Sequence, residues 1–558
     1  MPIRIVDGGM QEEEWWSGGD RFAQLRFLTR INYEKLPEVT FSAITETGQA
    51  ESSIPVPMQR SYTGRIPAIR SALADTPCAK LGMNGVLEKL NVTLGTSYTL
   101  DNPILPPILE SFIRQDHDFG TLYANLRLYW YGLTTVESVH EACNLDQEMR
   151  QNVVTNNRIS DGNIPPRRVW DLYANRVLPF CVGWPSYQFM SWDISAISHA
   201  WMSDKERIDV QTPINGYEWP VPIPKDADLN HIRIEMLNLG AQYVWLDVLC
   251  LRQAGGKRED LRREEWKVDV PIIGAIYQNG IQKVVYYLSG LGRPFCLKPG
   301  DLESDRCWFR RAWALQEVSE EYIIGWTKNV QRRFDIKLHS LESLRRQNVF
   351  DILRQMQIRA STKPLDKVAG LAYLLSTKSI PIYDESQSEE DAWAALTEMM
   401  SERYRSELLF LYPEPGDGHR RWRPSWHQVM VMAILPHTRN WWQSETPRTD
   451  WIGADSYQGP CVESGYLRGL GEISNKGIPR QGEYIADHAY PIPDGSYTLI
   501  GDSIFSYPSE ISRHRAVGQK RRDGTFEKVS VIQLADLHGF GDPWSIRDVE
   551  VDCKIFLG

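Results

Sequence analysis

The chain has 558 residues, 42% of them hydrophobic and 24% charged, which is the composition of a folded protein rather than of a disordered one. A chain of this length is expected to form about three or four domains. The formal net charge is −10, and no stretch concentrates lysine and arginine. Nucleic acid is therefore excluded as the main partner.

The sequence favours a cytoplasmic protein. It contains no run of about 18 apolar residues that would predict a membrane span, and its first residues lack the apolar centre of a signal peptide. The eight cysteines are scattered without CxxC spacing, which predicts neither a zinc site nor a disulfide framework.

Four regions are predicted along the chain. Residues 1–164 have a start interrupted by prolines and then apolar residues at helical spacing, so we expect a mostly helical region. The stretch SDGNIPPRR at 160–168 marks its end, because glycine and two prolines cannot extend a helix. Residues 165–330 form the second region, and residues 331–445 are predicted to be helical. Residues 446–558, rich in Gly, Pro and Tyr, are predicted to be a β-rich accessory region.

Strands and helices alternate in the second region. The predicted strands are 192–201, 243–251, 282–290 and 322–326. The predicted helices are 229–241, 264–280 and 308–320, and Pro271 either kinks the second of these or marks its true start. This alternation predicts an α/β fold with a parallel sheet. Ligands of such sheets bind at the carboxyl ends of the strands. That rule points to Ser198, His199 and Trp201 after the first strand and to Asp247 in the second.

Two of these residues admit a structural role as well as a role in a site. His199 could be a hydrogen-bonded packing residue, and Asp247 could accept backbone N–H groups of the following turn. A thiol–imidazole couple of His199 with Cys250 is disfavoured, because Cys250 lies inside an apolar strand, where cysteine usually acts as a small buried hydrophobic residue.

The stretch RRAWALQEV at 310–318 holds a further candidate. If it is helical, Trp313 and Glu317 share one face at i,i+4 spacing, and Arg311 lies too far round for an i,i+4 pair with Glu317. Glu317 could then bind sugar hydroxyls or stabilise an oxocarbenium charge, although residue chemistry alone favours a surface or structural role. The chain has no GxSxG, GxxxxGK[ST] or HExxH motif, so these hydrolase, phosphate-loop and zinc classes are not indicated.

Four segments follow one another in the order AISHAWM, GAQYVWLDVLCLRQ, DVPIIGAIYQNG and RRAWALQE. Together they resemble the heterokaryon-incompatibility (HET) domain family of fungi, and RRVWDLYANRVLPF resembles a basidiomycete-like subgroup. Three positions depart from the family pattern. Met202 stands where glycine is usual, Arg252 where aspartate is common, and Asp269 where glutamate is common, so Asp269 is not assigned a catalytic role.

The resemblance implies a function in self/non-self recognition. HET domains trigger growth arrest or cell death when incompatible fungal cells fuse, after activation by a protein partner or by self-association. They are remotely similar to TIR domains, which implies a TIR-like, flavodoxin-like parallel sheet core with helical flanking regions. Many TIR domains hydrolyse NAD with a glutamate in a W-C-x-x-E motif, and Trp313 and Glu317 have the same spacing.

The expected site follows from that resemblance. Glu317 is the expected catalytic residue, and the expected substrate-binding residues are Ser198, His199, Trp201, Asp247, Arg311 near the phosphates and Trp313 as an aromatic wall. NAD or a related nucleotide is the expected substrate, with no metal and no other cofactor. The alternative is a non-enzymatic signalling module that acts through self-association. A different nucleotide hydrolase or transferase at the same pocket is a third interpretation.

Overall fold

A computed structural model describes most of the chain after residue 66. The described residues are 67–132, 136–183, 194–278, 281–293, 307–319, 322–324, 341, 348–376, 379–431, 453, 455–468, 470, 486–488, 490–501, 514–534 and 551–558. The predicted start of the chain, which prolines interrupt, therefore lies outside the described residues up to residue 66. Within them the protein is mixed α/β, in agreement with the predicted class.

Helices dominate the described residues before position 160, as the apolar spacing predicts. They are α1 (Ser71–Ala74), α2 (Cys78–Leu94), α3 (Leu105–Arg114), α4 (Phe119–Leu126) and α5 (Val136–Asn152). Asp118 caps α4 by accepting the Thr121 N–H group. A short hairpin follows, formed by β1 (Val154–Thr155) and β2 (Arg158–Ile159). Asn156 and Asn157 in its turn both have positive φ, as a two-residue hairpin turn requires.

The next part of the chain builds a six-stranded sheet. Its elements are β3 (Arg168–Asp171), β4 (Arg176–Pro179), α6 (Phe180–Gly183), β5 (Ile194–His199), β6 (Arg207–Val210), β7 (Val221–Pro224), α7 (Leu229–Asn238), β8 (Tyr243–Leu246), α8 (Asp247–Cys250), α9 (Glu259–Asp269), α10 (Ile273–Gln278), β9 (Ile281–Tyr287) and β10 (Tyr322–Ile324). The sheet has the order β10–β9–β5–β8–β3–β4, and β6 and β7 form a separate two-stranded hairpin.

Four neighbouring strands of the sheet are parallel. Strand β5 pairs in parallel with β8 on one side and with β9 on the other, and β10 pairs in parallel with β9. Strand β3 lies antiparallel to β8 and to β4. Numbered by their order in the chain, the four parallel strands lie in the sheet as 2-1-3-4. Every residue of β5 and β8 is buried, as expected for strands covered on both faces.

Most predicted elements of this region are confirmed, with three corrections. The predicted helix 264–280 is divided around Pro271 into α9, which ends at Asp269, and α10, which begins at Ile273. The second predicted strand, 243–251, ends at Leu246, and the helical turn α8 begins at Asp247. The predicted helix 308–320 is wrong. Residues Trp308–Arg310 and Trp313–Leu315 form two 3-10 turns, separated by an extended Arg311. The physical reason is that Arg311 forms a parallel bridge with Ala360, which draws the backbone out of the helical path.

Helices return after residue 348. They are α11 (Val349–Gln357), α12 (Leu365–Leu375), α13 (Glu389–Met399), α14 (Glu402–Phe410) and α15 (Trp426–Val431), with β11 (Ile380–Pro381) between α12 and α13. The side chains of Asn348, Ser388 and Ser401 cap α11, α13 and α14. The predicted helical stretch from 336 lies outside the described residues up to 347, apart from residue 341.

Strands make up the described elements of the last region. They are β12 (Ser456–Leu467), β13 (Ala486–His488), β14 (Gly495–Gly501), β15 (His514–Lys520), β16 (Thr525–Leu534) and β17 (Val551–Leu557). Their order is β13–β16–β15–β14–β12–β17, and β17 also pairs with β16, so the sheet closes on itself. The buried Lys528 amine of β16 donates to the Tyr412 carbonyl after α14, which ties this sheet to the helices before it.

A disulfide bridge joins Cys143 of α5 to Cys181 of α6. The cysteine spacing predicted no disulfide framework and missed this bridge, because the two residues are 38 positions apart and only the packing of the two helices brings them together. No helix among the described residues is long and apolar enough to cross a membrane.

Candidate functional site

The candidate site lies at the carboxyl ends of β5 and β9. Ser198 pairs with Tyr286 in the sheet register, and His199 pairs with Tyr287. From β5 the chain crosses to β8 on one side, and then returns past β5 to β9 on the other. The loops that leave β5 and β9 therefore diverge, and ligands of open α/β sheets bind in the crevice at such a position.

Ser198 connects this edge of the sheet to Glu317. Its hydroxyl donates a hydrogen bond to the Glu317 carboxylate, with 2.5 Å between the oxygens, and accepts one from the Trp308 indole N–H at 2.7 Å. Trp308 is fully buried and meets the Tyr286 ring edge-on, with 5.0 Å between the ring centroids. Ser198 itself is 1% exposed, so it orients the carboxylate and is not available as a nucleophile.

Tyrosines hold the backbone around Glu317. The Tyr286 hydroxyl donates to the Glu317 carbonyl at 2.8 Å and accepts the Ser319 N–H at 3.1 Å. From α10, the Tyr277 hydroxyl donates to the carbonyl of Ile197, the residue before Ser198. These contacts fix the segment that carries Glu317 although it is not helical, so the carboxylate is positioned by the sheet.

Among the described residues, hydrogen bonds reach only one oxygen of the Glu317 carboxylate. Oε2 accepts the Ser198 hydroxyl, and Oε1 has no hydrogen-bond partner in the described chain. Glu317 keeps part of its surface open to solvent. Burial of the carboxyl group raises its pKa to about 7, the Ser198 hydrogen bond opposes that rise, and the charge of Asp247 adds to it. The group is thus a carboxyl that exchanges a proton near neutral pH.

Asp247, His199 and Trp201 form the second part of the site. Asp247 Oδ1 lies 2.9 Å from His199 Nε2 and accepts the Val248 N–H at 2.7 Å, while Oδ2 accepts the Trp201 indole N–H at 3.1 Å. The rings of His199 and Trp201 stack with their centroids 5.8 Å apart. Asp247 therefore accepts a backbone N–H of the following turn, as its structural interpretation expects, and also organises two predicted site residues.

The Asp247 carboxylate favours the protonated form of the His199 imidazole. Burial lowers its pKa, but the Asp247 carboxylate outweighs burial, so the pKa of His199 is raised overall, and that of Asp247 is lowered. The second ring nitrogen, Nδ1, faces the Ala200 carbonyl at 3.4 Å. Both nitrogens face oxygen acceptors, and this arrangement stabilises the protonated ring, in which both nitrogens are donors. His199 therefore lacks the free nitrogen that a general base needs.

Arg311 lies near the same site, and its charge acts on the site residues through space. Its guanidinium forms no hydrogen bond or ion pair with the described residues. Burial lowers its pKa, while Glu317, Asp366 and Asp247 raise it through space. The predicted site residues Ser198, His199, Asp247 and Glu317, with Trp201 and Arg311, are therefore brought together.

Trp313 takes a different position. Its side chain lies beside Asp366 at the start of α12 and helps to lower the pKa of that carboxyl, and Asp366 accepts the Tyr383 hydroxyl at 2.8 Å. The neighbouring Gln316, fully buried, donates its amide to the Ala369 carbonyl of α12 at 2.9 Å. The two side chains dock the 3-10 turns on α12, so Trp313 supports the segment rather than sharing a helical face with Glu317.

Sequence reasoning missed Tyr277, Tyr286, Trp308 and Asp366. The rule that selected Ser198 at the end of the first parallel strand also applies to Tyr286, which lies at the end of the third, and could have found it. Tyr277, Trp308 and Asp366 come from helices or turns whose contacts with the site depend on tertiary packing, and no local pattern marks them.

The other candidates of the sequence are structural. Cys250 is buried, and burial raises the pKa of its thiol to about 12, which makes it unreactive. Asp269 pairs with Arg167 at 2.7 Å, and Arg252 pairs with Glu218 and Glu265. No group of three or more His, Cys, Asp or Glu side chains in the described part of the chain is arranged to hold a metal ion.

Met202 fills the space beside a glycine with positive φ. Gly290, in the loop after β9, has φ 114°, and a Cβ atom there would lie 2.8 Å from the Met202 sulfur. Met202 therefore packs against Gly290, which keeps the loops after β5 and β9 in contact.

Comparison with known proteins does not assign a family. No protein-family model, no curated protein and no solved structure matches the chain.

Proposed function

We propose that the chain is a HET-type cell-death effector with a TIR-like core, and that it hydrolyses NAD or a related nucleotide at the nicotinamide–ribosyl bond. The observation that carries the proposal is the Glu317 carboxyl group. It lies at the carboxyl ends of β5 and β9, where the outgoing loops diverge. One of its oxygens has no hydrogen-bond partner among the described residues, and its pKa of about 7 lies at neutral pH.

The chemistry of the leaving group fits a site with a single available carboxylate. Ordinary glycosides need two carboxyl groups, one of which protonates the leaving oxygen. The second carboxyl of this site, Asp247, has both oxygens engaged by His199, Val248 and Trp201. The nicotinamide of NAD carries a positive charge and leaves as a neutral molecule when the C1′–N bond breaks, so it needs no proton from an acid.

Glu317 would act on the ribose and on water. Its charge stabilises the oxocarbenium-like ribose as the C1′–N electron pair moves to nicotinamide. Water then forms the new C1′–O bond, and its proton passes to the carboxylate, whose pKa of about 7 suits a general base at neutral pH. Ser198 orients the carboxylate, and Asp247 of the His199–Asp247 pair holds Trp201 in place.

Two further observations support the assignment. The parallel strand order 2-1-3-4 is the order of the first four strands of flavodoxin-like sheets, as a TIR-like core requires. The four HET-like segments also meet at one place in the fold, since AISHAWM carries Ser198 and His199, the second segment carries Asp247, the third carries Tyr277, and RRAWALQE carries Glu317. In this proposal the effector works in the cytoplasm and is switched on by a protein partner or by self-association.

The test is nicotinamide release from NAD by the purified full-length chain, as the free protein and after induced self-association. The expected result is turnover in at least one state and a loss of about 10³-fold in Glu317→Gln, which removes the charge at nearly constant shape. No release in either state, or undiminished release in Glu317→Gln, would contradict the proposal.

Expression in fungal cells separates the enzyme from a non-enzymatic signalling module. Toxicity that Glu317→Gln abolishes while the variant stays folded supports hydrolysis. Toxicity that Glu317→Gln retains assigns the effect to self-association. Ligand binding without NAD cleavage would instead favour another nucleotide-directed activity at the same crevice.

A further inference from the structure

Trp308, Ser198 and Glu317 form a chain of two hydrogen bonds. The Trp308 indole N–H donates to the Ser198 hydroxyl oxygen at 2.7 Å, and the Ser198 hydroxyl donates to Glu317 Oε2 at 2.5 Å. Trp308 and Ser198 are both buried, so water does not compete for these bonds, and the surrounding low dielectric strengthens them. The chain therefore joins a donor that does not titrate to a carboxyl group that does.

The donors of this chain fix its direction. An indole nitrogen donates but does not accept, so Trp308 always presents its proton to Ser198. The Ser198 hydroxyl then has its own single proton left for an acceptor on another side. The other group beside it is the Tyr277 hydroxyl, which donates its only proton to the Ile197 carbonyl at 2.8 Å. A tyrosine oxygen is a weaker acceptor than a carboxylate, so Ser198 donates to Glu317.

This direction decides which oxygen of Glu317 takes up a proton. Oε2 receives the Ser198 proton, and a second proton on Oε2 directed at Ser198 would place two protons between the same two oxygens. Oε1 has no hydrogen-bond partner among the described residues. A proton that neutralises Glu317 therefore binds at Oε1.

We infer that Trp308 is a positioning residue, which acts through Ser198 and confines proton exchange by Glu317 to Oε1. For the reaction, the inference rests on the proposed function. As the oxygen of the attacking water bonds to ribose C1′, the proton released by that water passes to Oε1. Oε2 keeps its bond to Ser198, so the carboxyl group keeps its orientation when its charge changes. Ser198 is excluded as a proton shuttle, because its proton stays directed at Oε2.

Trp308 also fills space in the core. Its ring meets those of Tyr286 and Phe309 edge-on, with 5.0 and 5.1 Å between the ring centroids. A tryptophan that only packs would lose stability on substitution without changing the titration of Glu317 through Ser198. The titration of Glu317 therefore separates the two roles.

Trp393 of α13 is the matched control. It is also fully buried, and its indole N–H donates to the Pro424 carbonyl at 2.9 Å. Trp393→Phe and Trp308→Phe therefore each keep an aromatic ring and each lose one buried indole hydrogen bond. Only the second of these bonds leads to Glu317.

The first experiment locates the proton by infrared spectroscopy of the full-length chain at about pH 5, where Glu317 is neutral. The carbonyl band that Glu317→Gln removes is the band of Glu317. With the proton on Oε1, Oε2 is the carbonyl oxygen, and its hydrogen bond from Ser198 lowers the stretching frequency. Ser198→Ala should therefore raise that frequency. An unchanged frequency would place the proton on Oε2 and overturn the inference.

The second experiment follows the same band against pH and so measures the pKa of Glu317. In Trp308→Phe the Ser198 hydroxyl is free to turn and accept the proton of the neutral acid, which stabilises the neutral form. The pKa should rise by about half a unit to one unit. In the Ser198→Ala background Trp308→Phe should leave the pKa unchanged, because Trp308 acts only through Ser198. Trp393→Phe should leave it unchanged in the wild-type background.

Equal pKa shifts from Trp308→Phe in both backgrounds would refute the positioning role, and so would no shift in the wild-type background. If Trp308→Phe does not fold, the infrared frequency of Ser198→Ala still decides the question. Neither measurement needs turnover. A Ser198-dependent shift without nicotinamide release leaves the positioning role and removes the NAD hydrolase. Nicotinamide release with the same pH limb in wild type and Trp308→Phe leaves the hydrolase and removes the positioning role.

Discussion

The Ser198 hydroxyl donates to the Glu317 carboxylate across 2.5 Å, although the two residues are 119 positions apart in the chain. The contact joins the end of β5 to a non-helical segment and occupies one of the two carboxylate oxygens. It also favours the ionised form of Glu317, because a hydrogen bond donated to a carboxylate stabilises its negative charge.

Ser198→Ala should move the pH dependence of the proposed NAD hydrolysis. Loss of a hydrogen bond to the ionised carboxylate raises the pKa of Glu317, by about one unit for a bond of this kind. The rising limb of kcat/KM, measured between about pH 5 and 9, should shift to higher pH by the same amount. Ser195→Ala, in the same buried strand, is the control and should leave the limb in place. An unshifted limb in Ser198→Ala would contradict the assignment.

Glu317→Gln should stabilise the protein in a pH-dependent way. The native pKa of about 7 lies above the ordinary 4.5, so the native state binds more protons than the unfolded state between these values. The stability of the wild type therefore falls as pH rises through 7, by at most about 3 kcal/mol. Urea denaturation should show Glu317→Gln more stable by about 1–3 kcal/mol at pH 8 and little changed at pH 5.

The control for this measurement is Glu264→Gln, since the Glu264 side chain is exposed and pairs with Lys267 on the surface. A gain in Glu317→Gln that is equal at both pH values would show that the carboxyl group titrates normally.

Asp247→Asn should weaken the His199 contribution to stability. The raised pKa of His199 means that its ionic contribution is fully present below about pH 6.5 and is lost as pH rises through the native pKa. In Asp247→Asn the attraction of the Asp247 carboxylate is removed while burial remains, so the pKa of His199 falls. We expect a loss of about 3 kcal/mol at pH 6 and a smaller loss at pH 9. Imidazole proton shifts measured by NMR report the pKa directly, and a ring that titrates as in the wild type would refute the pairing.

Gln316→Leu tests the docking of the Glu317 segment on α12. The substitution leaves the Ala369 carbonyl without its donor, which should destabilise the protein by about 1–2 kcal/mol. It should also lower kcat about tenfold or more, because Glu317 lies next in the chain and a small displacement of a catalytic group is costly.

Gln357→Leu is the matched variant. Gln357 also donates its side-chain amide to a backbone carbonyl, that of Val429, away from Glu317. It should cost similar stability and leave kcat unchanged. Equal effects of the two variants on kcat would indicate a general loss of stability rather than a displaced Glu317.

Lys528→Met should stabilise the C-terminal sheet at low pH. Lys528 is 1% exposed, and burial lowers its pKa from 10.5 to about 7. The native state therefore binds fewer protons than the unfolded state, so stability falls as pH drops from about 10.5 to 7 and is lowest below 7. Lys528→Met should gain about 2–4 kcal/mol at pH 6 and little at pH 10 in urea denaturation. Lys520→Met, at an exposed pair with Glu463, should change stability by less than about 0.5 kcal/mol.

The sequence predicted the parallel strands because their apolar runs are long and bounded by turn residues. Strands β5 and β9 are apolar because both of their faces are covered, and this apolar pattern can be read from the residues of each strand alone. The hairpin β6–β7 was not predicted, because Val221–Pro224 alternates with proline and resembles a loop. Proline is tolerated there because the hairpin has only two strands, so both are edge strands.

The site was harder to predict where its geometry depends on distant contacts. Ser198, His199 and Asp247 follow from the rule for strand ends. Trp313 was placed by helical spacing, and that spacing does not apply because the Arg311–Ala360 bridge interrupts the helix. No local pattern in residues 308–320 encodes a bridge to a residue about 50 positions later.

The two ends of the β6–β7 hairpin lie next to each other, because Arg207 pairs with Pro224 at its base. It is inserted between β5 and α7, so neither element depends on its length or composition for its own path. Related chains could exchange this hairpin as a unit and replace the residue at position 207 while Ser198 and Glu317 stay where they are. A chimera carrying a foreign hairpin would therefore exchange the guanidinium that lies over the Trp201 ring and keep the Ser198–Glu317 contact.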